Sequence, residues 1–294
     1  MSQEDHNFPS RTYPSKVLLL GEHTVMMGSG ALAIPYNRYH GRWNTKEQVE
    51  YHWWKPFIEF IAGLQLPFLV RERLAYLKYN GNLFLDIPIG YGLGSSGALT
   101  AAIYDFAHSE EMDDLAELQN RLGLMESFFH GESSGYDPLI SFLNKGVRKS
   151  SSGQMTLWNS NFSGNIHCYL LDSGNPRIGK EQIAKVQKIA KEDSNRFETV
   201  TELNNQIIAA MSDNAEFESI YSGLNQLSIE QFEKMNFLIV PAMQELWRST
   251  LDMGNISIKI CGAGGGGYYL LFSKEALSDI AGWELQEVHL GSNK

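Results

Sequence analysis

Short apolar runs alternate with amphipathic stretches along the chain, and the pattern predicts a mixed structure of helices and strands. Alternating or continuous apolar runs predict strands over residues 16–20, 31–34, 82–87, 166–171, 256–261 and 268–272. Apolar residues at a spacing of three or four predict helices over residues 98–108, 115–129, 181–192, 198–211 and 229–252, the last broken near Pro241. An aromatic-rich stretch over 51–79 is mostly helical in character.

A polar interruption divides this pattern near the middle of the chain. The segment Ser150-Ser151-Ser152-Gly153 separates a first half that mixes strands and helices from a helix-rich second half. A chain of 294 residues is long enough for two modest domains. We therefore expect one domain over residues 1–152 and another over 153–294.

Charge and cysteine content exclude several classes of protein. The net charge is −10, and no basic run is present, so nucleic acid is not expected as a partner. No apolar run approaches the length of about 20 residues that spans a bilayer, and the first ten residues lack a signal pattern. Cys168 and Cys261 have no CxxC partner, which favours free thiols and a cytoplasmic protein.

A glycine-rich segment at 88–98 lies between a predicted strand and a predicted helix. Such a junction presents free backbone N–H groups and the positive end of a helix dipole, which suit a phosphate. The segment lacks the lysine of a Walker A loop. Residues 92–97 do satisfy G-x-G-x-x-G, but a dinucleotide site wants a second strand ending in an acid about 20 residues later, and 110–114 is a polar helix boundary. A glycine turn without a ligand also stays open.

Two acidic residues in the next part of the chain are candidates for chemistry. Glu126 and His130 share a face of a predicted helix, and a glycine-rich turn then leads to Asp137. A carboxylate behind such a turn could accept a proton from a hydroxyl, and a second one could bind Mg²⁺. The alternative is a solvated loop aspartate and a surface glutamate.

The first and last strands carry further candidates. Lys16 begins an apolar strand, and Glu22-His23 follow it. Near the C-terminus, residues 262–267 contain five glycines between two predicted strands. Glycine costs conformational entropy on folding, so close packing against a loop or ligand would explain the run, and a flexible tip is the alternative.

Three of these segments, in this order, resemble the motifs of the GHMP kinases. They are Lys16 to Gly30, Pro88 to Ala98 and Lys259 to Gly267. The second segment is similar to the family's P-x-x-x-G-L-G-S-S-A-A loop. The resemblance implies a two-domain α+β fold, with an N-terminal domain like ribosomal protein S5 domain 2 and a ferredoxin-like C-terminal domain. It also implies transfer of the γ-phosphate of ATP to a small-molecule hydroxyl, with Mg²⁺ as the cofactor.

Within the family, residues 16–23, 130–137 and 262–267 are most similar to the motifs of mevalonate kinases, which act in isoprenoid biosynthesis. This implies Asp137 and Lys16 as catalytic residues and mevalonate as the acceptor. Mg²⁺ would be held by Ser96 and Glu126, and the acceptor by Glu22, His23, Gly264 and Gly265. The triphosphate would be held by Gly90, Gly92, Leu93, Gly94, Ser95, Ser96 and Gly97.

The sequence departs from the family pattern at four positions and leaves alternatives open. Ser15 replaces Gly or Ala, Gly97 replaces an alanine, Ser133 stands where proline is common, and Pro138 replaces an asparagine. Val25 stands where galactokinases keep a sugar-binding aspartate, which argues against a sugar. Phosphomevalonate kinase, homoserine kinase, mevalonate diphosphate decarboxylase and a non-catalytic ligand-binding homologue stay open, as does a homodimer.

Overall fold

A computed structural model describes residues 7–44, 54–159, 166–176, 179–213 and 215–290. Helices and strands are mixed throughout, which confirms the predicted α+β class. The strands are β1 Thr12–Leu20, β2 Ala31–Trp43, β3 Leu83–Leu85, β4 Gly146–Lys149, β5 Met155–Trp158, β6 His167–Asp172, β7 Ile256–Ile260, β8 Tyr268–Ser273, β9 Asp279–Ile280 and β10 Trp283–Glu287. The helices are α1 Lys55–Gly63, α2 Arg71–Asn80, α3 Ser95–Ala107, α4 Leu115–His130, α5 Tyr136–Leu143, α6 Gly179–Glu192, α7 Glu198–Ser212, α8 Phe217–Lys234 and α9 Pro241–Thr250. No helix among the described residues has both the length and the hydropathy to cross a bilayer.

The chain divides into two compact units that are interleaved in sequence. Unit 1 comprises Met1–Lys16, Pro35–Pro88 and Gly94–Asn144, and unit 2 comprises Val17–Ile34, Ile89–Leu93 and Lys145–Lys294. Strands β1 to β5 form a sheet with the order β1-β2-β4-β5, in which β3 also pairs with β2. A second sheet, within unit 2, has the order β7-β8-β6-β10-β9.

Unit 1 is built around α3, which packs against α4 and α5. Most of α3 is buried, and small residues such as Ala98, Ala101 and Ala102 let the neighbouring helices approach closely. Two buried hydroxyls join strand β1 to its neighbours, one to helix α5 and one to strand β2. Ser141 on α5 donates to the carbonyl of Pro14 at 2.7 Å, and Ser15 donates to the carbonyl of Tyr36 at 2.7 Å. The first part of β1 is thereby fixed in unit 1, and the departure at Ser15 has a structural reason.

Unit 2 places its core between the second sheet and the C-terminal helices. Strands β7 and β8 are buried along their whole length, and β8 pairs antiparallel with both β7 and β6. Helices α8 and α9 pack on β7, and α7 packs on α8. The nearly continuous apolar sequence of β8 fits this burial, whereas β7 alternates its isoleucines with the buried Ser257 and Lys259.

The predicted helix over 229–252 is wrong in its bounds, although the break at Pro241 is confirmed. Helix α8 begins at Phe217 and ends at Lys234, and Pro241 is the first residue of α9. Gly223 obscured the pattern, because glycine disfavours helix interiors. In the fold, it contacts Ile207 of α7, where a Cβ would come within 2.9 Å of the isoleucine.

Several short elements were not predicted. Helix α5 has eight residues and carries Pro138 in its first turn, where proline is tolerated. The interruption at Ser150 to Gly153 is the turn of the β4–β5 hairpin, closed by a bond from the Gly153 amide to the Ser150 carbonyl at 3.0 Å. That turn explains the polar composition, and the domain division at residue 152 stays a prediction. Residues 51–53 of the aromatic-rich stretch lie outside the described residues, and α1 and α2 form the rest of it.

Candidate active site

Three glycines with positive φ precede helix α3. Gly90, Gly92 and Gly94 all have positive φ, at 84°, 82° and 77°. Gly94 directly precedes Ser95, the first residue of α3, and no side chain caps the helix and no acidic residue lies in its first turn. The amides of a first turn have no partner within their helix, and the dipole adds partial positive charge. This end of α3 can therefore accept a phosphate group.

An ion pair lies beside this helix end. The Nζ atom of Lys16 is 3.0 Å from Oδ1 of Asp137, with the lysine side chain 6% exposed and the aspartate side chain 34% exposed. A Cβ added to Gly94 would lie 3.0 Å from Cγ of Lys16 and 3.5 Å from Oδ2 of Asp137. Lysine, aspartate and the N-terminus of α3 are thus immediate neighbours within unit 1.

Glu126 provides a second carboxylate in unit 1, held by two hydroxyls. Ser96 donates to Oε1 at 2.9 Å, and Ser133 donates to Oε2 at 2.5 Å. Burial, and next the negative charge of Asp137, raise the pKa of Glu126 to about 7. The surface glutamate considered as the alternative is excluded, because Glu126 is only 3% exposed.

Two departures from the family pattern have structural partners here. Ser133 supplies the hydroxyl that bonds Glu126, which a proline could not do. Gly97 packs directly on α5, where an added Cβ would lie 2.9 Å from the backbone carbon of Asp137 and 2.9 Å from the nitrogen of Pro138. The structure therefore requires glycine at residue 97 to keep Asp137 in place.

Glu22 and Lys259 form a buried ion pair in unit 2. Oε2 of Glu22 is 2.7 Å from Nζ of Lys259, and the two side chains are 1% and 2% exposed. Oε1 of Glu22 accepts a hydrogen bond from the amide of Gly262 at 3.4 Å. That Glu22 contacts an acceptor stays a prediction. Sequence reasoning did not identify Lys259 as its partner, because the two residues are far apart in the chain.

The turn that carries Glu22 and His23 is fixed by two asparagines of α7. The side chain of Asn204 accepts from the amide of Gly21 at 3.1 Å, and Asn205 accepts from the amide of Gly30 at 2.8 Å. Nε2 of His23 lies 3.0 Å from the carbonyl oxygen of Ala263. Asn204 on the otherwise apolar buried face of α7 was a sequence signal, but it was not recognised.

The glycine loop 262–267 is closely packed, so the alternative of a flexible tip is wrong. The amide of Gly265 donates to the carbonyl of Leu238 at 2.6 Å, and the amide of Gly267 donates to that of Asn175 at 2.7 Å. Added Cβ atoms would meet protein atoms at all four positions 264–267, at 2.8 Å or less for the first three. At Gly267 the neighbour is the carbonyl of Tyr91, 3.0 Å away, which belongs to the glycine-rich segment at 88–98.

The predicted site residues thus gather in two groups. Lys16, Gly94, Ser95, Ser96, Gly97, Glu126 and Asp137 lie in unit 1, and Glu22, His23, Gly90, Gly92, Leu93, Gly264 and Gly265 lie in unit 2. Across the described residues, no cluster of three His, Cys, Asp or Glu side chains could hold a metal. Mg²⁺ fits the first group nevertheless, because it prefers oxygen ligands and needs only one or two carboxylates beside substrate phosphates.

The chain is similar to known kinases in sequence and in fold. No protein-family model matches the chain. A mevalonate kinase of Pyrococcus abyssi is 26% identical over 307 residues, covering 86% of this chain and 85% of that protein. The crystal structure of L. major mevalonate kinase with R-mevalonate matches with a TM-score of 0.63 at 15% identity, over 92% of this chain and 88% of that one. Streptococcus pneumoniae phosphomevalonate kinase with phosphomevalonate and AMPPNP matches with a TM-score of 0.65 at 14% identity, over 95% and 99%.

Proposed function

By sequence and by fold the chain is a GHMP kinase, most like the mevalonate kinases, and we propose that it phosphorylates the primary hydroxyl of mevalonate with Mg²⁺-ATP. The class of small-molecule kinase and the use of ATP follow from the relatives, whereas the acceptor is the proposal. The observation that carries the proposed chemistry is the Lys16–Asp137 ion pair beside the N-terminus of α3.

In this proposal, Lys16 and Asp137 have different roles: Lys16 stabilises negative charge, and Asp137 accepts a proton. The first turn of α3 binds phosphate oxygens through its amides, and the Lys16 ammonium stabilises negative charge on the transferring group. Asp137 accepts the proton of the attacking hydroxyl, which it can do because its side chain is partly exposed. Positioning and electrostatics supply most of the catalysis, since phosphoryl transfer has a loose transition state.

Ser96 and Glu126 would hold Mg²⁺ in this scheme. When bound, the ion would neutralise charge on the β- and γ-phosphate oxygens. The pKa of Glu126, raised to about 7 by burial, supports this role, because a cation beside a buried carboxylate offsets its lost solvation. Ser133 keeps the carboxylate in place through its hydrogen bond to Oε2.

The acceptor in this proposal is short and carries a carboxylate and hydroxyl groups. We assign its binding to His23 and to the glycine loop at Gly264 and Gly265. Glu22 has both carboxylate oxygens bonded within the protein, so it would act on the acceptor through the loop and not by contact. The amide of Gly265 is already bonded to Leu238, so this residue would contribute close backbone approach instead of a donor. Val25, where galactokinases keep an aspartate, argues against a sugar.

Phosphomevalonate is the second candidate acceptor, because a phosphomevalonate kinase matches the fold with a TM-score of 0.65. The test is ADP formation with Mg²⁺-ATP and, separately, mevalonate, phosphomevalonate, homoserine, galactose and mevalonate diphosphate, with Asp137→Asn as the background control. Product analysis by phosphorus NMR identifies the phosphorylated position, and release of CO₂ and phosphate reports decarboxylation. We expect mevalonate to give the highest kcat/KM. A clear preference for another acceptor would overturn the assignment.

A further inference from the structure

We propose that Glu22 and Lys259 are a positioning pair, which fixes the glycine loop 262–267 for the acceptor without touching it. The part of this inference that concerns the acceptor rests on the proposed function. The part that concerns the loop does not, because it follows from contacts within unit 2 alone.

The polar atoms of both side chains are engaged with protein. Glu22 bonds Nζ of Lys259 through Oε2 and the Gly262 amide through Oε1, at 2.7 and 3.4 Å. Nζ of Lys259 also donates to the carbonyl of Ile260 at 2.7 Å. With side chains 1% and 2% exposed, neither residue presents a charged group to a ligand.

The pair connects the turn after β1 to the first residue of the loop. Gly262 has a φ of 75°, so the chain changes direction there, and Glu22 bonds its amide at that point. The next residue of the turn, His23, bonds the carbonyl of Ala263, the next residue of the loop. Two successive residues therefore join the same two segments, and this double link fixes the register of the loop against the turn.

Stability alone does not explain two buried charges at this position. Desolvation of a buried pair opposes its attraction, and apolar residues of similar size often replace such a pair without loss. Removing one partner is different, because it leaves an uncompensated charge in the interior. A role in fixing the loop explains why the fold contains this buried ion pair although its desolvation costs free energy.

The test compares Glu22→Gln, Lys259→Met and the double variant, which has no buried charge. Lys274 and Glu218 are the matched control, because they form an ion pair of the same types and distance, 2.7 Å, in the same unit but are 31% and 71% exposed. Amide hydrogen exchange of residues 262–267 in the ligand-free protein reports how well the loop is ordered. Steady-state kinetics reports KM for the acceptor and kcat.

We expect each single variant to speed exchange of the loop amides at least tenfold and to lower kcat/KM about 100-fold, the scale of a misplaced site. The double variant has no uncompensated charge, so it should regain stability but keep the faster exchange and the lower kcat/KM. Lys274→Met/Glu218→Gln should change neither the exchange of the loop nor kcat/KM. If the single variants do not fold, the exchange and the kinetics of the double variant test the proposal. A double variant with parent-like exchange but an acceptor KM raised tenfold or more would show that Glu22 touches the acceptor and would overturn the proposal. Unchanged exchange in folded single variants would overturn it as well. If no acceptor is phosphorylated, the proposed function fails while the exchange data still test the pair.

Discussion

Gly97→Ala restores the residue that the family pattern has, and we expect it to harm this protein. The added Cβ would lie 2.9 Å from the carbonyl carbon of Asp137 and from the nitrogen of Pro138. Carbon contacts normally lie at 3.5–4.0 Å, so the start of α5 must move by about half an ångström or more. Both neighbours are backbone atoms, so no side-chain rotation relieves the contact. Asp137 therefore moves relative to Lys16.

The two energetic terms of this substitution oppose each other. Alanine gains up to about 1 kcal/mol of helix propensity over glycine, whereas overpacking costs about 1–3 kcal/mol, so we expect a net loss of about 0–2 kcal/mol. Displacement of a catalytic group by up to 1 Å can cost about 10²-fold in rate, so kcat should fall by about 10- to 100-fold.

Urea unfolding and ADP formation measure the two effects separately. Gly63→Ala is the control, because Gly63 is the last residue of α1 and an added Cβ would meet nothing within 4 Å. It should be neutral or slightly stabilising, with unchanged kcat. If Gly97→Ala matches this control in both stability and kcat, the close packing of α3 on α5 does not position Asp137.

Three further predictions concern the carboxylates of unit 1. Asp137→Asn should lower kcat by about 10²–10⁴-fold, because an amide cannot accept the hydroxyl proton, while calorimetry should find ATP affinity near that of the parent; near-normal turnover would remove Asp137 from the mechanism. Glu126→Gln should raise the Mg²⁺ concentration for half-maximal rate, since a neutral amide is a weaker ligand, and superimposable titrations would make Glu126 structural. Burial and the charge of Asp137 raise the pKa of Glu126 from 4.5 to about 7, which means that folding favours the neutral carboxyl. Without Mg²⁺, the parent should therefore lose about 3 kcal/mol of stability relative to Glu126→Gln as the pH rises from about 4.5 to 7. Parallel stability curves from urea unfolding in EDTA would contradict this.

Elements with a local pattern of apolar and polar residues could be predicted from the chain alone. Helices α3, α4, α6 and α7 follow from apolar residues at helical spacing, strand β7 from alternating isoleucines and strand β8 from a short apolar run. The candidate roles of Lys16, Glu126 and Asp137 could also be predicted from the sequence, because residue type and neighbouring glycines limit the roles that such side chains can have. Helix α8 was predicted poorly, because Gly223 disfavours a helix interior and the polar Ser228 and Gln231 continue the buried face.

The pairing of these residues, in contrast, depends on the three-dimensional fold. Glu22 pairs with Lys259, 237 residues away, and no local pattern indicates that contact. The fold likewise gives reasons for three departures from the family pattern: Ser15 bonds a backbone carbonyl, Ser133 bonds Glu126, and Gly97 makes room for α5. The physical reason is the same in each case. Burial, desolvation and close approach depend on which segments the fold brings together, and that is a property of the whole chain.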